Sequence, residues 1–279
     1  MELNSVKKAV VQSYGKLAKS RKKGLLPKLF GCCDSSSYAK QIGEMIGYSQ
    51  EEIANLPVEA NLGVGCGNPA ALARMQAGET VIDLGSGAGF DVFNVSSIVG
   101  SRGKVVGIDL SDDMLELARQ NARKYQYNNV EFVKGDIEDL PLNDQIADHI
   151  ISNCVINLSF QKAQVFKEAY RVLKNGGRLS ISDIMLEKEL PWLIKKSLPA
   201  HIACVSGAEK LEDYVSYIRQ AGFTEIKIKS KSAFPLELML ADPQVNELAE
   251  AMNMKLSKEK IEEMASRVVS ISLTAKKTG

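Results

Sequence analysis

Five cysteines are spread through the chain: Cys32, Cys33, Cys66, Cys154 and Cys204. None forms a CxxC pair, which excludes zinc-ribbon and thioredoxin-like motifs. Three of them stand singly in loop-like surroundings. Cys66 lies in Gly63-Val64-Gly65-Cys66-Gly67-Asn68-Pro69, Cys154 follows Ser152-Asn153 at the end of an apolar run, and Cys204 lies in Ala203-Cys204-Val205-Ser206-Gly207-Ala208. A free cysteine is often no more than a small buried hydrophobe. Three soft thiolates converging from separate loops would instead select a soft, thiophilic centre. Zinc at a structural site would favour four ligands, and Cys32 or Cys33 is available as the fourth.

A second constellation is Val81-Ile82-Asp83-Leu84-Gly85-Ser86-Gly87-Ala88-Gly89-Phe90. Its glycines permit a tight turn and close approach of a ligand to the backbone. Dinucleotide enzymes use a related turn, so the glycines alone discriminate little. Asp83, placed before the first glycine, does discriminate: a carboxylate there repels a pyrophosphate but suits the ammonium of an amino-acid ligand. Asp109 follows 24 residues after Gly85, where an acid can accept both ribose hydroxyls, and Gly135-Asp136-Ile137-Glu138 comes next.

Few bases stand near these groups. The chain has two histidines. His149 falls inside an apolar run and reads as a packed or surface residue; His201, close to Cys204, stays open as a base, as does a carboxylate.

The elements that position these residues follow from periodicity. Thr80 to Leu84, Lys104 to Leu110, Val130 to Val133, Ala147 to Ser152 and Arg178 to Ser182 are Val- and Ile-rich runs with little alternation, the pattern of strands covered on both faces. Phe90 to Val99, Asp112 to Tyr125 and Lys162 to Leu173 have helical spacing between them, with Ser111 as an N-cap and Gly176-Gly177 as the stop of the third helix. Strand–helix alternation of this kind implies right-handed crossovers and a parallel sheet. The acids and the glycine loop then share the carboxyl ends of the strands, where open α/β sheets bind ligands. After Gly207 a helix runs to Gln220, and a strand Thr224 to Ser230 paired with an alternating strand Arg267 to Lys276 closes the sheet. Residues 1–77 form a helical and loop extension, 78–231 the main α/β domain with the ligand crevice, 232–266 a helical insertion, and 267–279 the last strand. Within the extension, Ser49 and Glu52 make a capping box, and Asn68-Pro69 starts a short helix.

With 279 residues, 25% charged and 45% hydrophobic, the profile is that of an ordinary soluble globule. A net charge of +1 provides no single-sign field, so neither nucleic acid nor membrane is an expected partner. Without a secretory signal, reduced thiols in a cytoplasmic compartment are expected. Val6, Val10, Val11, Tyr14 and Leu17 fall on one face of an N-terminal helix, expected to dock on the domain; a basic amphipathic membrane anchor is the alternative.

The nucleotide-loop pattern resembles the class I S-adenosylmethionine-dependent methyltransferases over residues 78–231 and the last strand. That resemblance implies a Rossmann-like α/β fold, with a mostly parallel seven-stranded sheet and an antiparallel last strand. It further implies that Asp83, Gly85, Ser86, Gly87 and Gly89 cradle the methionine part of S-adenosyl-L-methionine, that Asp109 and Leu110 reach the ribose side, and that Met114, Ile137 and Glu138 border the adenine, with Asn153 completing the set. Asn61-Leu-Gly-Val-Gly-Cys66-Gly-Asn-Pro69, Ile151-Ser-Asn-Cys154-Val-Ile-Asn-Leu158 and Cys204-Val-Ser-Gly-Ala208, with Arg171-Val-Leu-Lys174 and Ser182-Asp183, look like the diagnostic segments of arsenite methyltransferases. By that resemblance Cys66, Cys154 and Cys204 bind trivalent arsenic. Cys32 or Cys33 would pair with Cys66 to return electrons, and a thioredoxin- or glutathione-type thiol system would reset the enzyme. The substrate would be arsenite or its thiol conjugates, and the role arsenic detoxification. Two rivals stay open: a methyltransferase of a small organic metabolite, and a non-catalytic thiolate protein for a metalloid or zinc.

Overall fold

A computed structural model describes residues 3–22, 35–195, 198, 201, 204–233, 263 and 265–279. Cys32 and Cys33, and nearly all of the insertion expected at 232–266, lie outside the described residues.

The parallel part of the sheet is built from β1 (Thr80–Leu84), β2 (Lys104–Asp109), β3 (Val130–Lys134), β4 (Ala147–Asn153) and β5 (Leu173–Leu186). The two-residue β6 (Glu209–Lys210) pairs with the end of β5, and β7 (Phe223–Ala233) and β8 (Val268–Lys277) complete it. The order is β3-β2-β1-β4-β5-β8-β7, with β8 antiparallel to both its neighbours. The sheet is therefore Rossmann-like, as expected, with one antiparallel strand wedged next to the edge. Its central strands are apolar on both sides because both sides are covered. Ile82, Leu84, Ile108 and Ile150 face one buried cluster with Phe166 and Tyr214, while Val81, Val105 and Ile151 face the other with Phe93 and Leu115.

Helices α5 (Phe90–Val99), α6 (Asp112–Lys124) and α7 (Lys162–Val172) match the expected spans to within two residues. Ser111 caps α6 by accepting from Met114 N. Three expectations needed correction. Helix α7 ends at Val172 because Leu173 already turns extended into β5, so Gly176-Gly177 is an irregularity within that strand and not the stop. Strand β5 is 14 residues long: its end out to Leu186 pairs with β8, and its start at Leu173 pairs with Ala147 of β4. The helix expected after Gly207 begins only at Leu211, since 209–210 are drawn into the sheet. The four-residue α8 (Trp192–Lys195) precedes it, so the Leu211–Gln220 helix is α9.

In the extension, α1 (Leu3–Lys22), α2 (Ser35–Met45), α3 (Gln50–Asn55) and α4 (Pro69–Leu72) precede β1. The Ser49/Glu52 capping box and the Asn68 cap of α4 are formed. Helix α1 is docked, not free: it packs on α6, and Ala18, Leu62, Met114 and Leu117 make a small core with Tyr14 and Leu17. No helix among the described residues is long and apolar enough to cross a membrane.

Candidate active site

Strand order reverses between β1 and β4, since β1 continues outward through β2 and β3 while β4 continues through β5. Loops leaving these two strands must part there, which opens a crevice at their carboxyl ends. A cavity occupies it, walled by Asp83, Gly85–Ala88, Asp91, Asp109, Leu110, Met114, Ile137, Glu138, Asn153 and Cys154. All the residues expected to hold the cofactor therefore line one space, except Gly89, which sits one residue past Ala88 at the N-cap of α5. Helix α1 forms the roof through Lys7, Val10, Val11 and Tyr14.

The glycine loop leaves room for a ligand. Gly85 has φ 71°, and a Cβ on it would come within 2.4 Å of Val155. At Gly87, φ 51°, a Cβ would find nothing nearer than the Met114 sulfur at 4.0 Å; the backbone there faces open space. The acids beside it are buried. Burial, with Asp91 and Asp109 nearby, holds the Asp83 carboxyl well above the usual carboxylate range, and burial pushes Asp91 up to about 6. Among the described residues neither forms an ion pair. Two buried carboxyls without a cation, next to bare backbone, fit a ligand that brings an ammonium group.

Asp109 is partly committed to the loop itself: Oδ2 accepts from Gly87 N at 2.9 Å and Oδ1 from Ser111 N at 2.8 Å. Glu138 is committed more completely. It accepts from Lys7 Nζ at 2.5 Å, Ser159 Oγ at 2.6 Å and Gln161 Nε2 at 3.0 Å. Lys7 also reaches Asp136 at 2.7 Å, and so ties the roof helix to the rim. Sequence reasoning missed Lys7; an amphipathic helix has no signal for which of its lysines will meet acids more than a hundred residues away.

The thiols meet beside this cavity, and Cys154 belongs to its wall as well. Cys66 and Cys204 are buried and Cys154 half-buried, together with Ile184, Leu186, Leu190 and Val205. The sulfurs of Cys66 and Cys154 and a carboxylate oxygen of Asp183 all lie within 4.8 Å of one another. The Cys204 thiol donates to the Cys154 carbonyl at 2.9 Å. Both Cys154 and Cys204 have φ 61°, a left-handed backbone uncommon outside glycine and concentrated at functional sites. Burial pushes the Cys66 thiol up to about 11. For Cys154 the Cys204 hydrogen bond pulls downward, but Cys66 and burial outweigh it; Cys204 is raised by Cys154 and by burial. All three are protonated thiols at neutral pH.

Asp183 is fully buried behind the sulfurs. Asn157 Nδ2 and Ile184 N donate to its Oδ1 at 2.8 and 2.9 Å, and Tyr214 Oη to its Oδ2 at 3.0 Å. Its place in Ser182-Asp183 was visible in the sequence, its contact with the thiols was not. The histidines stay out of the cavity. His149 Nε2 faces Ser180 Oγ at 2.9 Å, and Arg178 donates to Nδ1. His201 Nε2 donates to Leu158 O at 3.1 Å, and its ring stacks on Phe160.

Residues 75–222, more than half of the chain, match the family model described as a methyltransferase domain. The chain belongs to the methyltransferase-domain family. Within that family it is 42% identical over 201 residues to the arsenite methyltransferase of Halobacterium salinarum, covering 72% of this chain and 51% of that one. It is 35% identical over 208 residues to the arsenite methyltransferase of Aquipseudomonas alcaligenes, covering 72% and 58%. It thus spans little more than half the length of these curated relatives. Among solved structures, an arsenic(III) S-adenosylmethionine methyltransferase from Chlamydomonas reinhardtii superposes with a TM-score of 0.62 at 28% identity, covering 86% of this chain and 73% of that one. For a methyltransferase domain, the cavity at the β1/β4 reversal is where the methyl donor belongs, and Cys154 stands in its wall.

Proposed function

We propose that the chain methylates trivalent arsenic held by Cys66, Cys154 and Cys204, using S-adenosyl-L-methionine bound in the crevice. The observation that carries this reading is the meeting of three cysteines from positions 66, 154 and 204 in one buried cluster, with Cys154 also forming part of the cofactor cavity wall. The similarity to arsenite methyltransferases supports it.

The cofactor supplies an electrophilic methyl group on a sulfonium. Asp83 and Asp91 would take its ammonium group, Gly85, Ser86, Gly87 and Gly89 its amino-acid portion, Asp109 and Leu110 its ribose side, and Met114 and Ile137 its base. Lys7, bridging Asp136 and Glu138, would keep α1 closed and water out. At the acceptor end, three thiols exchange with the three hydroxyls of arsenite, and each thiol proton leaves with a hydroxyl as water. This exchange is proton-neutral while the thiols are protonated, so the affinity stays flat around neutral pH. Cys204 must turn its sulfur from the Cys154 carbonyl toward the other two to complete the cage. Arsenic bound by three sulfurs keeps a lone pair as nucleophile, so no proton need be removed. That agrees with both histidines being engaged elsewhere. The protein's part is alignment, worth up to roughly 7–11 kcal/mol in favourable cases.

Zinc is the less favoured occupant. A tetrahedral site would need a fourth ligand, and Asp183, the acid the described residues place beside Cys66 and Cys154, already has both oxygens held by Asn157, Ile184 and Tyr214. After transfer, pentavalent arsenic needs two electrons to return to the trivalent state. A disulfide between Cys66 and Cys32 or Cys33 would release them, and a thioredoxin- or glutathione-type reductant would reopen it. The test is direct: incubate the chain with arsenite, S-adenosylmethionine and a thiol reductant, and separate the arsenic species. Mono- or dimethylated arsenic is expected; its absence from protein that binds the cofactor would refute the proposal.

A further inference from the structure

Asn153 ends β4 between the two halves of the site, and its carboxamide touches both. On one side Oδ1 accepts from Cys66 N at 3.0 Å, and the Cys66 thiol lies 3.9 Å from the same oxygen. On the other side Nδ2 faces three acceptors: Gly67 O at 2.8 Å, Asp91 Oδ2 at 3.2 Å and Tyr48 Oη at 3.2 Å. Tyr48 is buried and donates its own proton to Asp91 Oδ1 at 2.6 Å. Gly65 closes over the amide so tightly that a Cβ there would come within 3.1 Å of Nδ2. The carboxamide is thus held in place from every side, yet it has two N–H groups for three acceptors.

We propose that Asn153 is a positioning residue that couples cofactor to acceptor, joining Asp91 in the cofactor cavity to the backbone that carries Cys66, so that each ligand tightens the binding of the other. This inference rests on the functional reading above. A ligand ammonium beside Asp91 pins that carboxylate in place, and a hydrogen bond to an ionised acceptor so placed is about twice as strong as a neutral one. The Asn153 protons then serve Asp91 and Gly67 and leave Tyr48. With the amide so oriented, Oδ1 is aimed at Cys66 N and steadies the Gly65–Cys66–Gly67 loop. In reverse, an arsenic centre on Cys66 immobilises that loop, holds Asn153 in the same orientation, and presents Asp91 with a donor already in place. Coupling of this kind must be reciprocal.

The experiment is calorimetric titration of the whole chain, under a phosphine reductant, with S-adenosylhomocysteine in the absence and presence of saturating arsenite, and then with the order reversed. Wild type should bind either ligand about fivefold or more tightly in the presence of the other, by the same factor in both orders. Asn153→Ala should bring that factor to about one, whatever it costs the affinity for each ligand alone. Tyr48→Phe removes the competing acceptor and commits the amide to Asp91 with or without ligand, so its factor should also fall. That variant decides the matter if Asn153→Ala does not fold. Wild type that binds S-adenosylhomocysteine but no arsenite would overturn the functional reading, and the coupling with it. Independent binding of both ligands by wild type, or an unchanged factor in the folded variants, would overturn the coupling alone.

Discussion

His149 makes the chain acid-sensitive in a way that can be worked out from its surroundings. It lies in β4, 1% exposed, between Val81 of β1 and Arg178 of β5. Arg178 donates to Nδ1 and itself pairs with Glu79, so the ring is neutral with its proton on Nε2, facing Ser180. Burial, and then the Arg178 charge, lower its pKa from 6.5 to about 3. The unfolded chain binds this proton more readily than the folded one. The stabilisation is therefore complete above about pH 6.5 and is lost as pH falls toward the folded value. At pH 5 the loss is about 2 kcal/mol, and at pH 7 about 0.2 kcal/mol. The pH 5 figure depends almost wholly on the unfolded value, because the folded ring is already neutral there. Urea unfolding at both pH values measures it directly. His149→Gln keeps a donor for Ser180 but cannot titrate, so its loss of stability between pH 7 and pH 5 should be smaller than that of wild type by about 2 kcal/mol. An identical pH dependence in the two proteins would refute the account of a neutral buried ring.

Other outcomes bear on the site. Cys154→Ser and Cys204→Ser should each abolish arsenite binding while leaving S-adenosylhomocysteine affinity in place, both read by calorimetry; full arsenite affinity in either would rule out a three-sulfur cage. Gly207→Ala should destabilise the fold by about 1–3 kcal/mol and weaken arsenite binding, because its Cβ would fall 1.9 Å from Asn157 O and displace the Cys204 loop; unchanged thermal unfolding and affinity would contradict this. Lys7→Met should weaken cofactor binding, since it leaves the buried Glu138 without its cation at a cost of about 1–3 kcal/mol. Arsenite affinity in the absence of cofactor should not change, and equal losses at both sites would show that α1 does not act as a roof over the cofactor alone.

The strands, their burial on both faces and the glycine loop were legible in the sequence because each depends on neighbouring residues. A Val- and Ile-rich run between two helices is a covered strand wherever it sits. Asp83 before Gly85 and Asp109 after β2 are placed by their distance from strand ends, and the structure lines the cavity with both. Cap residues such as Ser111 and Ser49 are local in the same sense. Element lengths were less legible: β5 extends to Leu186 because β8, some ninety residues later, supplies its hydrogen-bond partners.

The thiol cluster has both kinds of origin. Its cysteines, their loops and the Asn153-Cys154 pair stand in the sequence, and their types already imply a soft ligand. Only the tertiary structure could decide that Cys66 and Cys154 meet beside Asp183, that Cys204 instead donates to a carbonyl, that Lys7 closes the roof, and that Asn153 faces Asp91 and Cys66 at once. Those pairings join residues up to 131 positions apart, and no local spacing encodes them. They exist because the strand order reverses between β1 and β4 and brings the loops of distant segments to one edge of the sheet.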